Sequence, residues 1–234
     1  MVKRIWSGVD PGLHGCIVSL GATNDQPIFW HDWKSARITK DDHTGHARRL
    51  ADLENQLNQT MLISGLFGTR ESRHFASNQC HQYHLIYSAY YHGKAIMPLI
   101  EATACLQATL SRFGQVFKEN DTSVRKKFIG DGANKPLSKL ASALTARELL
   151  TKQNHVAEVD SINSNMNIKQ PSQAQAIALD FLDAYVAALV CKYQWLTGEY
   201  YDLMRRKDCL AVALGVKRAL TWRDIESYQK ENVK

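Results

Sequence analysis

The chain has 234 residues, a length that suits one domain with a small appendage. Apolar residues make up 44%, and no run of about 18 of them exists to form a membrane-spanning helix. A net charge of +6 favours a polyanionic partner without requiring one. Five scattered cysteines without a CxxC pair argue against a zinc site and a disulfide framework. We therefore expect an intracellular protein without a membrane partner, its compartment (cytoplasm, nucleoid, virus or organelle) left open.

The chain opens with three short apolar runs that predict strands over 3–10, 14–21 and 27–33. The turn signals DPGLHG and ATNDQP separate them, so the pattern indicates an antiparallel meander at the start of a sheet. Leucines at helical spacing then predict a helix over 45–62.

The middle of the chain is predicted from spacing and from breaker residues. Tyrosines at helical spacing predict a helix over 77–92, and the apolar run KAIMPLIEA predicts a strand over 94–102. Pro98 weakens that strand or places it at a sheet edge. The remaining predicted elements are a helix over 104–118, a loop over 131–136, a helix over 137–150, a polar loop over 160–173, an Ala-rich helix over 174–196 and a basic tail with two short helices. This alternation is typical of α/β or α+β three-layer proteins.

Two carboxylates lie three residues apart on the last predicted helix. Asp180 and Asp183 therefore project from nearly one face, among apolar neighbours. Like charges at the border of a buried face repel each other and are costly to desolvate. Either the two aspartates face solvent near the start of the helix, where its dipole favours them, or a divalent cation lies between them.

A third carboxylate, Asp10, ends the first predicted strand. An aspartate at this position is often part of the turn that follows. Combined with Asp180 and Asp183, however, it suits a site in which carboxylates from separate elements hold two Mg²⁺ ions about 3.5–4 Å apart. Such a site needs no His or Cys ligand, because Mg²⁺ prefers hard oxygen donors.

Three segments resemble the RuvC-like Holliday junction resolvases of the RNase H superfamily. GVDPGLHGCIVSL is similar to the family's first strand, DFLDAYVAALV to its last helix, and VRKKFIGDGANKPLSKLASALTAREL to the basic segment before that helix. The resemblance implies an α/β, RNase H-like three-layer fold with a central mixed five-stranded sheet flanked by helices. It also implies a nuclease domain over 1–196 and a helical, basic extension over 197–234.

The same resemblance implies an activity and a set of partners. It implies an endonuclease that resolves four-way DNA junctions as a homodimer, with two Mg²⁺ ions per active site and Mn²⁺ as a substitute. The implied metal ligands and catalytic residues are Asp10, Asp180, Asp183 and a glutamate after the fourth strand.

Two glutamates compete for that last position. Glu71 leaves room for the predicted helix 77–92 and the strand after it, in the family's order, although the run before it contains Gly68 and Thr69. Glu101 follows a better apolar run, IMPLI, but leaves little room before Val124. Topology favours Glu71, with Glu101 as the alternative.

Basic residues form two groups that suit contacts with DNA phosphates, a role that requires charge rather than base reading. The alternative interpretation is an ordinary solvated face. The candidate nucleic-acid-binding residues are Arg70, Arg73, Arg125, Lys126, Lys127, Lys135 and Lys139.

Other functions remain open at this point. A strand ending in an aspartate and a glycine turn also begins actin-like ATPases and sugar kinases, but these need a second domain and a second phosphate loop, which this chain lacks. An RNase H-like nuclease or DNA-binding protein with another nucleic-acid substrate is the second alternative.

Overall fold

A computed structural model describes residues 3–11, 14–21, 24–34, 45–63, 80–88, 96–130, 138–153, 173–195 and 209–218 of the protein. Five strands form one sheet in the order β3-β2-β1-β4-β5. Their bounds are β1 Lys3–Asp10, β2 His14–Leu20, β3 Pro27–Lys34, β4 Cys80–Ser88 and β5 Gln115–Asn120.

The sheet is mixed. β2 runs antiparallel to both β1 and β3, which confirms the predicted meander. β4 runs parallel to β1, and β5 runs parallel to β4. A five-stranded sheet of this order and direction, with helices on both faces, is the RNase H-like α/β fold, so the expected fold class is confirmed.

Helices cover both faces of the sheet and bury two separate hydrophobic clusters. α1 and α2 pack over Val9, Ile17 and Ile86 on one face. The long helix α5, with α3, α4 and α6, packs over Trp6, Val18 and neighbouring residues on the other. The helix bounds are α1 Gly45–Ile63, α2 Ile96–Ser111, α3 Asp121–Ile129, α4 Ser138–Lys152, α5 Gln173–Trp195 and α6 Leu210–Ala213.

The closest packing in this arrangement is between α5 and the central strand β1, at Gly8. A Cβ atom at Gly8 would lie 2.0 Å from the carbonyl oxygen of Ala184 and 2.2 Å from the amide nitrogen of Ala188. Real Cβ atoms do not approach this closely, so only glycine fits here. Small alanines on α5 and a missing side chain on β1 together let the helix backbone lie directly on the strand.

A buried polar network attaches the far end of α5 to the link between β2 and β3. The Lys192 ammonium donates to Asp25 Oδ1 at 2.9 Å and also to the carbonyl of Asn24, and the Tyr193 hydroxyl donates to Asp25 Oδ2 at 2.8 Å. The Tyr185 hydroxyl donates to the Asp25 carbonyl at 2.9 Å. The charges of Lys192 and Asp25 are paired and hydrogen-bonded, as buried charges need to be.

The middle of the chain differs from the sequence prediction. Residues predicted as a helix over 77–92 include strand β4, Cys80–Ser88. That strand is covered on both faces, with Leu85 in one hydrophobic cluster and Ile86 in the other. A doubly buried parallel strand shows no polar alternation, and the tyrosine spacing was therefore misleading.

The next two predicted elements are also shifted. The strand predicted over 94–102 is wrong, because α2 begins at Ile96 with Pro98 in its first turn, where proline costs no helical hydrogen bond. The helix predicted over 104–118 is correct only to Ser111. The chain then turns through Phe113 and Gly114, both bonded to the Leu110 carbonyl, and continues as β5.

The carboxyl-terminal half follows the sequence more closely. The helices predicted over 45–62, 137–150 and 174–196 are confirmed as α1, α4 and α5. The loop 131–136 and most of 160–173 lie outside the described residues. Within the basic tail, Leu210, Ala211 and Val216 are buried in the same hydrophobic cluster as α5.

No helix in the described part of the chain combines the length and the apolar character needed to cross a membrane.

Gly8→Ala should lower the free energy of unfolding by about 3 kcal/mol, the upper end of overpacking costs, because the new methyl group meets helix backbone that cannot rotate away. The matched control is Gly21→Ala, whose Cβ would make an ordinary 3.5 Å contact with Ile28, and it should change stability by under about 0.5 kcal/mol. Urea unfolding measures both. Equal effects of the two substitutions would contradict the close approach at Gly8.

Candidate functional site

The site is built around Asp10, the last residue of β1. Alternate residues of a strand point to the same face, so Asp10 shares the α5 face with Trp6 and Gly8. Its cross-strand neighbour is Cys16 on β2. Asp10 is only partly exposed, so its carboxyl group lies at the border between the core and solvent.

α5 brings two more carboxylates to this strand end. Asp180 and Asp183 lie on the turn of α5 just before Ala184, which packs on Gly8. The Asp10 carboxyl group is close enough to both for their negative charges to raise its pKa, Asp183 more than Asp180. The structure thus brings together the three aspartates that the sequence singled out. We call Asp10, Asp180 and Asp183 the carboxylate cluster.

A lysine side chain lies against this cluster. Lys139 is the second residue of α4, and its ammonium is 2.8 Å from Asp183 Oδ2 and 4.0 Å from Asp10 Oδ2. The Asp183 side chain is 5% exposed, whereas that of Lys139 is 49% exposed. The lysine therefore reaches from solvent to a buried carboxylate.

Burial raises the pKa of all three acids, and the charge of Asp183 adds to the shifts of Asp10 and Asp180. Burial, and next the charge of Asp183, raise the pKa of Asp10 well above its usual value. Burial likewise raises the pKa of Asp180 to about 6, although Lys139 opposes the shift. The pKa of Asp183 is raised by burial, with Lys139 and Arg125 acting in the opposite direction. Three buried carboxyl groups cannot all be ionised here without a positive charge beside them.

The predicted DNA-binding residues occupy different positions. Arg125 pairs with Asp121 at 3.0 Å on α3, close enough to Asp183 for its charge to act on that carboxylate. Lys127 pairs with Glu119 and donates to Gln194. Lys126 is exposed on the same helix. Arg70, Arg73 and Lys135 lie outside the described residues.

The second acid of the expected site is not joined to the carboxylate cluster in the described residues. Glu71 lies outside them, and the element order that favoured it is wrong, because β4 follows Glu71 rather than preceding it. Glu101 lies on α2, in the helix layer on the other face of the sheet. Residues 89–95, which follow β4 in the chain, contain no Asp or Glu.

A further carboxylate, Asp32, lies near the cluster and was not predicted from the sequence. Asp32 on β3 pairs with Cys16, which pairs with Asp10, so the three form a row across the sheet on the α5 face. The charges of Asp32, Asp10 and Asp180 add to burial in raising the pKa of the Cys16 thiol. Strand alternation in 27–33 could have placed Asp32 on a face, but only the cross-strand register aligns it with Asp10.

The donor chemistry of the carboxylate cluster suits a hard divalent cation. All of its potential ligands are carboxylate oxygens, the kind Mg²⁺ prefers, and a positive group already lies against two of them. Within the described ranges, no three His, Cys, Asp or Glu side chains form a preformed ligand set. Lys139 lies against two of the three carboxylates.

Without divalent cations, the free energy of unfolding should fall as pH rises from about 4 to about 6 through the Asp180 contribution. The sign follows from a folded-state pKa of about 6 against the usual 3.8, since the folded protein keeps a proton that the unfolded chain releases. Asp180→Asn should flatten this dependence, whereas Asp52→Asn, an exposed aspartate on α1, should keep it. Urea unfolding in EDTA across this range measures the slopes. Equal slopes in wild type and Asp180→Asn would exclude the predicted proton uptake.

Comparison with known proteins gives structural similarity only. No family model and no curated protein matches the chain. The structure is similar to that of Thermus thermophilus RuvC, with a TM-score of 0.48 and 13% sequence identity, covering 86% of this chain and 96% of that one. It is also similar to T. thermophilus RuvC in complex with a Holliday junction substrate, with a TM-score of 0.46 and 14% identity over the same shares of the two chains.

Proposed function

We propose that the protein is a divalent-metal-dependent endonuclease that cleaves branched DNA, with the four-way junction as its substrate. The observation that supports this most is the carboxylate cluster at the end of β1, on the central sheet of an RNase H-like fold. Three partly or fully buried acids from two elements are costly to keep together. A structural role would be served better by neutral side chains, which argues for a function that uses the charges.

Asp10, Asp180 and Asp183 would hold two Mg²⁺ ions, with Mn²⁺ as a substitute. Bound metal supplies an activated water and stabilises the leaving oxygen in phosphodiester hydrolysis. The candidates for the second acid are those that the sequence analysis named, Glu71 and Glu101, and neither is joined to the cluster within the described residues. Because the pKa of Asp10 is raised, its carboxyl group has to be deprotonated before it can act as a ligand.

The residues around the cluster support a negatively charged substrate. Arg125 and Lys126 lie on α3. The positive charge of Arg125 is close enough to Asp183 to lower its pKa, so α3 brings positive charge to the acids. A DNA backbone bound there would place its phosphates next to both the acids and the basic residues. Lys127 and Lys135 extend the basic segment along the chain.

The choice of a four-way junction and of a homodimer rests on the sequence motifs, which are similar to those of RuvC-like resolvases. Two copies of one active site are needed to cut two opposing strands of a junction symmetrically. The isolated site geometry suits any phosphodiester, so the substrate has to be tested directly.

Asp183→Asn should reduce Mg²⁺-dependent nicking of a labelled four-way junction by at least about 100-fold, because one negative ligand is lost while size and hydrogen bonding remain. Binding of the junction in Ca²⁺, measured by gel shift, should survive. Asp52→Asn makes the same charge change on the opposite helix layer and should cleave like wild type. Full cleavage by Asp183→Asn would remove this residue from the site.

The same assay distinguishes the alternatives. Equal cleavage of a linear duplex or an RNA–DNA hybrid would indicate an RNase H-like nuclease with another substrate. ATP hydrolysis without any cleavage would indicate an actin-like ATPase. Comparing Glu71→Gln with Glu101→Gln identifies the second acid, since only the ligand should lose activity as Asp183→Asn does.

Lys126→Gln should reduce the slope of log binding constant against log salt by about 0.9, the value for one phosphate contact, with little dependence on base sequence. Lys152→Gln is the control, because Lys152 ends α4 about 20 Å along the helix from Lys139 and pairs with Glu148. Fluorescence anisotropy of a labelled junction at several salt concentrations measures both slopes. An unchanged slope in Lys126→Gln would place the DNA elsewhere.

A further inference from the structure

Lys139 occupies an unusual position for a surface lysine. Its ammonium contacts Asp183 at 2.8 Å and approaches Asp10 at 4.0 Å, so it lies against two of the three acids of the carboxylate cluster. By comparison, Lys152 pairs with Glu148 and Lys192 with Asp25, both away from this cluster. Lys139 thus supplies the positive charge at the point where the carboxylates converge.

We propose that Lys139 is an internal counter-ion of the carboxylate cluster, which holds the acids together without divalent cation and must be displaced for metal to bind. This inference rests on the proposed function, because it takes Asp10 and Asp183 as metal ligands. It assigns to Lys139 a role in setting metal affinity rather than in contacting DNA alone.

Competition follows from charge and space. The Asp183 side chain is only 5% exposed, so its carboxylate can be approached from few directions. A metal ion and the Lys139 ammonium would therefore occupy the same space beside it. Two cations that share these oxygens would also repel each other. Burial lowers the pKa of Lys139, but the charges of Asp183 and Asp10 more than offset this and leave it raised, so the side chain stays a cation at neutral pH.

Displacement is also sterically feasible. The Lys139 side chain is 49% exposed, and it lies on the first turn of α4. A flexible four-carbon chain of this kind can rotate into solvent without disturbing the helix. The buried pair of Lys192 with Asp25, 4% and 12% exposed, has no such freedom. The Lys139 ammonium can therefore move away from the carboxylates, whereas the Lys192 ammonium is held beside Asp25.

Removing the counter-ion should strengthen metal binding to the free protein. Lys139→Met should bind Mn²⁺ at least about tenfold more tightly than wild type, measured by isothermal titration calorimetry without DNA, which corresponds to about 1.4 kcal/mol. The matched control is Lys152→Met, a lysine on the same helix with a 42% exposed side chain and a 3.0 Å ion pair. Its Mn²⁺ affinity should equal that of wild type, as should that of Lys139→Arg, which keeps the charge.

Thermal unfolding tests the other half of the proposal. In EDTA at mildly alkaline pH, Lys139→Met should unfold at a lower temperature than wild type and than Lys152→Met. Saturating Mn²⁺ should remove the difference. An unchanged unfolding temperature in EDTA would overturn the stabilising role. If Lys139→Met folds in neither buffer, Lys139→Arg decides, because tenfold tighter Mn²⁺ binding by this variant would overturn the competition.

The outcomes separate this inference from the proposed function. Equal Mn²⁺ affinity in wild type and folded Lys139→Met would overturn the counter-ion role and leave the nuclease proposal standing. If neither folded protein binds Mn²⁺, the metal site fails, and both proposals fail with it. Tighter binding in Lys139→Met alone supports both.

Discussion

The backbone contact between α5 and β1 determines the geometry of everything else in the site. Gly8 has no side chain, so Ala184 and Ala188 of the helix lie directly on the strand. Asp10 lies two residues after Gly8 and on the same face, and Asp183 immediately precedes Ala184. The distance between β1 and α5 therefore sets the distance between the Asp10 and Asp183 carboxyl groups.

Electrostatics oppose what this packing enforces. Burial raises the pKa of each acid of the carboxylate cluster, and repulsion from Asp183 raises that of Asp10 further. The positive charge that lies against these acids is the Lys139 ammonium, 2.8 Å from Asp183. The Lys139 side chain is half exposed, which is why we propose that a divalent cation displaces it. A permanent internal cation such as Lys192 would give stability alone.

Local patterns predicted the ends of the fold better than its middle. β1–β3 alternate or end in clear turns, and α5 is long and Ala-rich, so Asp10, Asp180 and Asp183 were found from sequence. β4 carries no alternation because both faces are buried, and α2 contains a proline that suggested a strand edge. The strands β1–β3 and the helices α1, α4 and α5 were predicted correctly, whereas β4, α2 and β5 between them were not. Asp32 and the position of Lys139 depend on cross-strand register and on helix packing, which no single segment encodes.

The network around Asp25 has a mechanical consequence for the carboxylates at the other end of α5. Lys192 and Tyr193 fix the helix to the β2–β3 link, roughly 18 Å along the axis from Asp180. Over that length a tilt of about 5° would move Asp180 by about 1.5 Å. Displacements of about 1 Å at reacting groups can reduce rates about 100-fold. In the proposed nuclease, the Asn24–Asp25 link, although remote from the acids, would therefore align the carboxylate cluster with its substrate.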